Sequence, residues 1–390
     1  MKKIFISVGE ISGDNYASEL VKRLKNYQIY AVAGPKMEVA GVIPVASIKD
    51  ISVVGLTEAI SKYKKIKEVF EKSVNILKEG IDLLIVVDFP GFNIKLIKKA
   101  KKLGIKTVYF ISPQVWAWGK GRIKDIVENT DVLISILPFE EEIYKPFVSG
   151  KFKFFFVGHP LLDIVKTYET EESFKQKLSI PKHKKIIGLL AGSRESEVNV
   201  LLPIMLQSAR LLSKSLENTH FVIPATVNMV EKVLEKTKNF NDLPLTVITS
   251  NLSKLDIPRF ENPSYEVMKH SVFSVIASGT ATLEAAIIGN PFILVYKVSP
   301  ITYFIGKRLV SIPFLGLPNI IAGREVVPEL LQEKCTPINI ANKTLEFLFD
   351  KKLQEKQKQD LLEVRSKLGE KGAIDKAAEI ISILLEKGQV

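Results

Sequence analysis

Short runs of buried-type apolar residues alternate with stretches of helical period along most of the chain. Residues 3–8, 29–33, 83–87, 107–111, 132–136 and 154–157 read as strands, each bounded by Gly, Pro or polar turn residues. Between them, 15–26, 66–78 and 94–103 carry the apolar spacing of helices. This is the βαβ rhythm of a parallel sheet covered on both faces. A polar stretch rich in Glu and Lys, 167–185, interrupts it after His159-Pro160, and the rhythm then resumes with strands at 186–190, 219–224, 245–248, 272–276 and 292–295.

The pattern predicts an α/β protein of two Rossmann-like doubly wound domains, 1–165 and 166–350, facing an inter-domain cleft. A charged helical tail, 351–390, would cross back to the first domain or pair with a partner chain. A length of 390 residues agrees, because one hydrophobic core seldom serves so long a chain. Hydrophobic residues at 46% and charged residues at 25% describe a soluble globular protein, and no apolar run reaches the roughly 18–20 residues of a spanning helix. The N-terminus, Met1-Lys2-Lys3 followed by a short apolar run ending at Glu10, reads as a first strand rather than a signal segment, so a cytoplasmic location is expected. One cysteine, Cys335, excludes an internal disulfide and a cysteine-rich zinc site, and four scattered histidines suggest no metal cluster. The formal charge of +12 asks for an anionic partner or a Lys-rich solvated exterior. Its lysines lack the aromatic interleaving of a single-strand binding surface, which ranks nucleic acid last.

Ligands of open parallel sheets bind at the carboxyl ends of strands, so residues just after each strand carry the candidate chemistry. In the second domain Ser278-Gly279-Thr280 joins a strand to a helix whose free N–H groups and dipole favour a phosphate. Glu284, one turn on, would reach a ribose diol; the alternative is an ordinary capped helix. Gly192-Ser193-Arg194 adds a second anion-friendly strand end, unless Arg194 merely pairs with Glu197 on the surface. Two such ends in one sheet favour a diphosphate. In the first domain Gly9-Glu10-Ile11-Ser12-Gly13-Asp14 is glycine-rich but lacks G-x-G-x-x-G spacing, and Glu10 would repel a pyrophosphate. A neutral hydroxylated acceptor suits it better, although Ser12 and Asp14 are also ordinary caps. Asp88 directly follows a hydrophobic strand, where burial would raise its pKa toward a general base; the alternative is a turn residue holding backbone N–H groups. Trp116 and Trp118 sit in a loop and either line an apolar or sugar-binding wall or pack in the core. Asn319 lies in a polar cluster running to Gln332, between candidate ligand contacts and turn roles.

The ordered combination of Gly9–Asp14, Ala33-Gly34-Pro35-Lys36-Met37, Ser112-Pro113 with Val115-Trp116-Ala117-Trp118, Leu137-Pro138-Phe139-Glu140, Gly158-His159-Pro160-Leu161, Gly192-Ser193-Arg194 with Glu197, Ser278-Gly279-Thr280-Ala281-Thr282-Leu283-Glu284 and Leu317-Pro318-Asn319 through Gln332 resembles the lipid-A-disaccharide synthase family, bacterial glycosyltransferases of the GT-B fold. The resemblance runs from residue 1 to about residue 340. It implies transfer of the diacylated glucosamine of UDP-2,3-diacylglucosamine to the 6-hydroxyl of lipid X, giving UDP and the β-1,6 tetraacyl disaccharide phosphate. It implies Asp88 as base, Glu10 and Asn319 near the reacting sugars, Arg194 and Gly279-Thr280 on the diphosphate, Glu284 on the ribose, and neither metal nor cofactor. The chain departs from the family pattern at Gly91, where a second Asp is usual, at Ala191 for Pro and at Gln114 for Ser. Gly91 removes a rival base.

Acylated substrates are met at a bilayer, which implies peripheral association with the cytoplasmic leaflet of the inner membrane. Segment 53–70 mixes apolar residues, Ile60, Ile66 and Phe70 among them, with Lys62, Lys64, Lys65 and Lys67, a pattern that rests on anionic lipid. Its alternative is an amphipathic helix with the apolar face in the core. Homodimerisation is implied by the family alone. Rival readings are an isomerase like UDP-N-acetylglucosamine 2-epimerase, which shares the fold, and a non-catalytic acyl-sugar binding protein. A nicotinamide oxidoreductase is disfavoured by the missing glycine fingerprint.

Overall fold

The computed structural model describes residues 1–52, 62–116, 119, 121–298 and 313–389. Two seven-stranded sheets organise it, and every strand pairing is parallel. Each belongs to a separate compact unit, made among the described residues of 1–160 with 368–389 and of 161–298 with 313–367.

In the first unit the strands are β1 (Lys3–Val8), β2 (Gln28–Ala33), β3 (Ile43–Ser47), β4 (Leu83–Val87), β5 (Lys106–Phe110), β6 (Val132–Ser135) and β7 (Lys153–Phe156). Their order is β3-β2-β1-β4-β5-β6-β7, so the chain winds outward from β1 and then returns to start again at β4. All five residues of β4, Leu-Leu-Ile-Val-Val, are buried, as a strand covered on both faces requires. The second unit repeats the plan with β8 (Lys185–Leu190), β9 (Thr219–Ala225), β10 (Leu245–Ser250), β11 (Arg259–Phe260), β12 (Ser271–Ala277), β13 (Phe292–Tyr296) and β14 (Glu329–Leu331), ordered β11-β10-β9-β8-β12-β13-β14. Winding direction reverses at β1/β4 and at β8/β12. Loops leaving adjacent strands in opposite directions open a crevice there, the place where doubly wound sheets bind ligands.

Eleven of these strands match the periodicity reading within one or two residues. The other three, β3, β11 and β14, all lie at sheet edges, and β11 and β14 have only two and three residues. β3 carries Pro44, tolerated at an edge, and shifts register against β2.

The C-terminal residues divide between the units. Helix Lys351–Lys367 stays on the second, where the Gln357 amide both accepts from Phe292 N–H (3.0 Å) and donates to its carbonyl (2.9 Å). Helix Ala373–Lys387 belongs to the first and packs on helix Ile11–Val21, with Arg23 Nε donating to Asp375 at 2.6 Å. Gly158, at φ +90°, sits where a Cβ would come within 2.9 Å of the Glu370 carbonyl, so only glycine lets the returning chain lie this close.

Segment 53–70 is corrected in part. Ile66 and Phe70 lie on helix Tyr63–Lys78 and face inward: both pack against the first unit's core, and the Phe70 ring meets Phe92 edge to face at 5.5 Å. A strongly amphipathic helix satisfies its apolar stripe on a sheet as readily as on lipid, and here the sheet has it. Ile60 lies outside the described residues. Phe70→Ala is therefore expected to cost roughly 2 kcal/mol, since an aromatic anchor of the helix is lost. Thermal unfolding checks this: a Tm equal to wild type would return Phe70 to the surface.

Candidate functional site

At the first switch point β4 ends in Asp88 and Phe89, both non-glycine residues in the left-handed region (φ 43° and 49°). Such backbone costs on the order of 1–3 kcal/mol per residue. Adjacent β5 ends in Ile111, also left-handed (φ 65°), whose carbonyl accepts from Asp88 N–H at 3.1 Å. Phe89 turns its ring to the place a Cβ on Gly9 would take, only 2.1 Å from Cγ, so Gly9 makes room for Phe89 rather than for a phosphate. Half-buried Glu10 follows as the N-cap of helix Ile11–Val21, with Ser12 in its first turn. Burial, and then the neighbouring Glu10 carboxylate, raise the Asp88 pKa to about 7, against the pull of a backbone hydrogen bond from Phe89. A carboxylate poised there accepts a proton from a hydroxyl near neutral pH.

Asp14 plays another part. Its side chain is 2% exposed and its two oxygens accept from the N–H groups of Gly34 (3.0 Å), Lys36 (3.0 Å) and Met37 (3.1 Å). It is the cap of the next short helix, Pro35–Val39, and Gly34 lacks a side chain because the carboxyl occupies that space. An acceptor-binding role for Asp14 is withdrawn, because both oxygens are occupied and buried.

Trp116 is buried too, its ring edge-to-face on Phe139 (5.1 Å) and its Nε1–H donating to Glu140 Oε1 at 3.2 Å. The packing alternative holds for it; Trp118 lies outside the described residues. Glu140 is the carboxyl that residue-by-residue reading missed. It is 1% exposed, bonded to the Ser135 hydroxyl, and burial raises its pKa to about 8, with Asp88 adding to the rise. The signal available was only its place in Leu137-Pro138-Phe139-Glu140, after β6. His159, fully enclosed, is likewise held neutral, its pKa lowered by burial to about 3.

At the second switch point two strand ends lie side by side, following β8 and β12. After β8, Glu197 folds back over the loop: Oε2 accepts from Ser193 N–H (3.1 Å) and Arg194 N–H (3.3 Å), and Oε1 from the Arg194 guanidinium (3.3 Å). Gly192 has φ +102° and leaves open the space that this carboxylate fills. The backbone donors expected to face an anion are thus met by the chain's own. After β12, Gly279 takes φ 148°, ψ −165° as N-cap of helix Thr280–Ile288, contributes no side-chain cap, and has open space where a Cβ would stand. Glu284, one turn on and half-buried, accepts from Tyr265 Oη at 3.2 Å. Tyr296, at the end of β13, is near enough for Glu197 to raise its pKa further and Arg194 to oppose the rise, after burial.

Asn319 does not join this group. Fully buried, it donates to Val327 O and Glu329 Oε1 and accepts from the N–H groups of Val326 and Val327, all at 2.8 Å. Every lone pair and proton of its amide is engaged in fastening the 315–329 turn. A direct contact with sugar is withdrawn for that reason.

Solved structures share this architecture. UDP-N-acetylglucosamine 2-epimerase from Neisseria meningitidis bound to UDP-N-acetylglucosamine superposes with a TM-score of 0.64 at 14% identity, covering 99% of this chain and 100% of that one. MurG of Acinetobacter baumannii gives 0.57 at 14%, covering 98% and 99%. At such identity the likeness establishes the fold, the two-domain α/β class of GT-B proteins. The family model described as lipid-A-disaccharide synthetase matches residues 4–384. The lipid-A-disaccharide synthase of Sulfurihydrogenibium sp. (strain YO3AOP1) is 75% identical over 389 residues, 100% of both chains. On this evidence the chain belongs to the lipid-A-disaccharide synthase family, glycosyltransferases of lipid A biosynthesis.

Proposed function

We propose that the protein joins the diacylated glucosamine of UDP-2,3-diacylglucosamine to the 6-hydroxyl of lipid X with inversion at the anomeric carbon. The observation that carries the reading is Asp88, a carboxyl at a strand end with its pKa raised to about 7. Its carboxylate takes the proton of the acceptor 6-hydroxyl as that oxygen bonds to C1 of the donor sugar. The C1–O bond to the β-phosphate breaks on the opposite face, and its electron pair leaves with UDP. Backbone N–H groups and the helix dipole at Gly279-Thr280 stabilise the charge gathering on the diphosphate. Arg194, 55% exposed, turns from Glu197 to the same phosphates, and Glu284 holds the ribose. The epimerase reading drops out, because its support is a likeness of fold alone.

Membrane contact belongs to the same proposal on a changed basis. With Ile66 and Phe70 turned inward, helix Tyr63–Lys78 exposes Lys64, Lys65, Lys67, Lys72 and Lys78 against Glu68 and Glu71, a face of net positive charge suited to the anionic cytoplasmic leaflet. No helix among the described residues is long and apolar enough to cross a membrane.

Asp88→Asn should lower kcat by about 10²-fold or more, and wild-type kcat/KM should fall as pH drops below about 7, where Asp88 takes up its proton. The carboxyl ionises near 3.8 when unfolded and about 7 when folded, so its charge costs stability as pH rises through that window. At pH 8 the Asn variant should therefore melt above wild type. Near-normal turnover of Asp88→Asn with both substrates would remove the base assignment.

Arg194→Ala is expected to weaken UDP binding about tenfold, the loss of one charge-assisted contact, and to leave Tm unchanged, since an exposed ion pair contributes about 1 kcal/mol at most. Calorimetric titration with UDP measures it, and unchanged affinity would take Arg194 off the diphosphate. Replacing Lys64, Lys67 and Lys72 together with Glu should reduce binding to vesicles containing phosphatidylglycerol, most clearly at low salt. Binding that persists would move the membrane surface elsewhere.

A further inference from the structure

Five described non-glycine residues have left-handed backbone, and three of them, Asp88, Phe89 and Ile111, meet at the adjoining ends of β4 and β5. Strain concentrated at one place persists only where the surroundings over-determine it. Here the determinants are explicit. The Asp88 carbonyl, turned away from the usual sheet direction by its left-handed φ, accepts from Tyr109 Oη at 2.8 Å and from Asn93 Nδ2 at 2.9 Å. Asn93 Nδ2 also donates to the Val87 carbonyl at 3.0 Å, and its Oδ1 accepts from Ser7 Oγ at 2.7 Å, which fixes which way the amide points. Ser7, Asn93 and Tyr109 are each 0% exposed, and they come from β1, helix Pro90–Lys102 and β5. Two separate elements donate to one carbonyl, and a third, β1, orients through Ser7 the amide that reaches it.

We propose that Ser7, Asn93 and Tyr109 form a clamp that positions the Asp88 carboxylate by holding its main chain in the left-handed turn. The inference rests on Asp88 being the base. All three are fully buried, and they act on the Asp88 peptide, Tyr109 and Asn93 directly and Ser7 by way of Asn93. The charge that bears on this carboxylate is that of Glu10 at the start of helix Ile11–Val21; Asp88 in turn acts on Glu140 after β6 and, with Arg122, on Tyr109. The clamp hydrogen-bonds the Asp88 main chain and not its carboxylate, so clamp variants act on the base by moving it and by changing its burial. A base displaced by about 1 Å loses rate on the order of 10²-fold while substrate binding elsewhere is unchanged.

Tyr109→Phe removes one hydroxyl and keeps the ring that fills the core. The expected result is a kcat about tenfold lower or less still, KM for both substrates within twofold of wild type, and an acid limb of kcat/KM moved to lower pH as Asp88 relaxes toward solvent. Ser7→Ala, which frees the Asn93 amide to turn, should shift the same readings in the same direction, and it serves where Tyr109→Phe fails to fold. Thermal unfolding recorded alongside separates position from stability. Either folded variant keeping wild-type kcat and pH profile, whatever its Tm, overturns the clamp. Asp88→Asn run in parallel distinguishes the two levels: if it too retains turnover, the base assignment has failed, and if it alone is inactive, only the clamp has.

Discussion

Everything at the first strand-end site depends on placing an ionisable carboxyl beside buried strand ends in backbone that side chains disfavour. A parallel strand such as Leu83–Val87 delivers its next residue to the crevice, but in extended geometry that residue would continue the sheet. Two consecutive left-handed residues turn the chain sharply into helix Pro90–Lys102, with Pro90 supplying the helical φ at its first position. The rest of the unit is arranged around that turn. Gly9 has no side chain because Phe89 needs the space, and Asn93 and Tyr109 have polar atoms where a core would otherwise be apolar because the turned carbonyl needs donors.

The two switch points answer the same electrostatic problem in opposite ways. At β1/β4 carboxyls gather: burial raises the pKa of Asp88 and Glu140, and Glu10 adds to the first rise and Asp88 to the second, so protons are retained to higher pH than isolated carboxyls allow. At β8/β12 donors gather, and the loop after β8 already satisfies them with Glu197. A carboxylate placed on the backbone N–H groups of a helix start is the chain's own version of an anion bound there. Of the two helix starts at this switch point, the one at Gly279 has no side-chain cap and has open space where a Cβ would stand.

How much of this was legible in the sequence follows from what each signal is physically. Central strands announce themselves, since burial on both faces demands unbroken apolar runs; edge strands β3, β11 and β14 need no such run and carry Pro44 or only two or three residues. Asp88 was a candidate because it directly follows an apolar strand, although position alone fits an ordinary turn residue as well. Asp14 and Asn319 also sat in suggestive motifs, yet their partners are backbone groups 20 and 7 residues away or more, a pairing that spacing alone cannot show. Ile66 and Phe70 were ambiguous for a different reason: amphipathicity states that a face must be covered and leaves open by what. Glu140, Tyr109 and Ser7 were hidden because their importance lies in bonds across strands.

Burying the apolar side of helix Tyr63–Lys78 also constrains the kind of membrane attraction its other side can exert. An inserted helix gains from apolar area and holds at high salt, whereas exposed lysines contribute about 1 kcal/mol each near an anionic surface and fade within a Debye length of ~8 Å at physiological salt. Lys65 and Lys67 are already partly engaged, with Asp50 at 3.9 Å and Glu71 at 3.8 Å, which weakens their share. Under the proposal that this face meets an anionic leaflet, its attraction would therefore be modest, reversible and salt-dependent. Insertion of the apolar side would instead require pulling Ile66 and Phe70 out of their packing on the first unit's core.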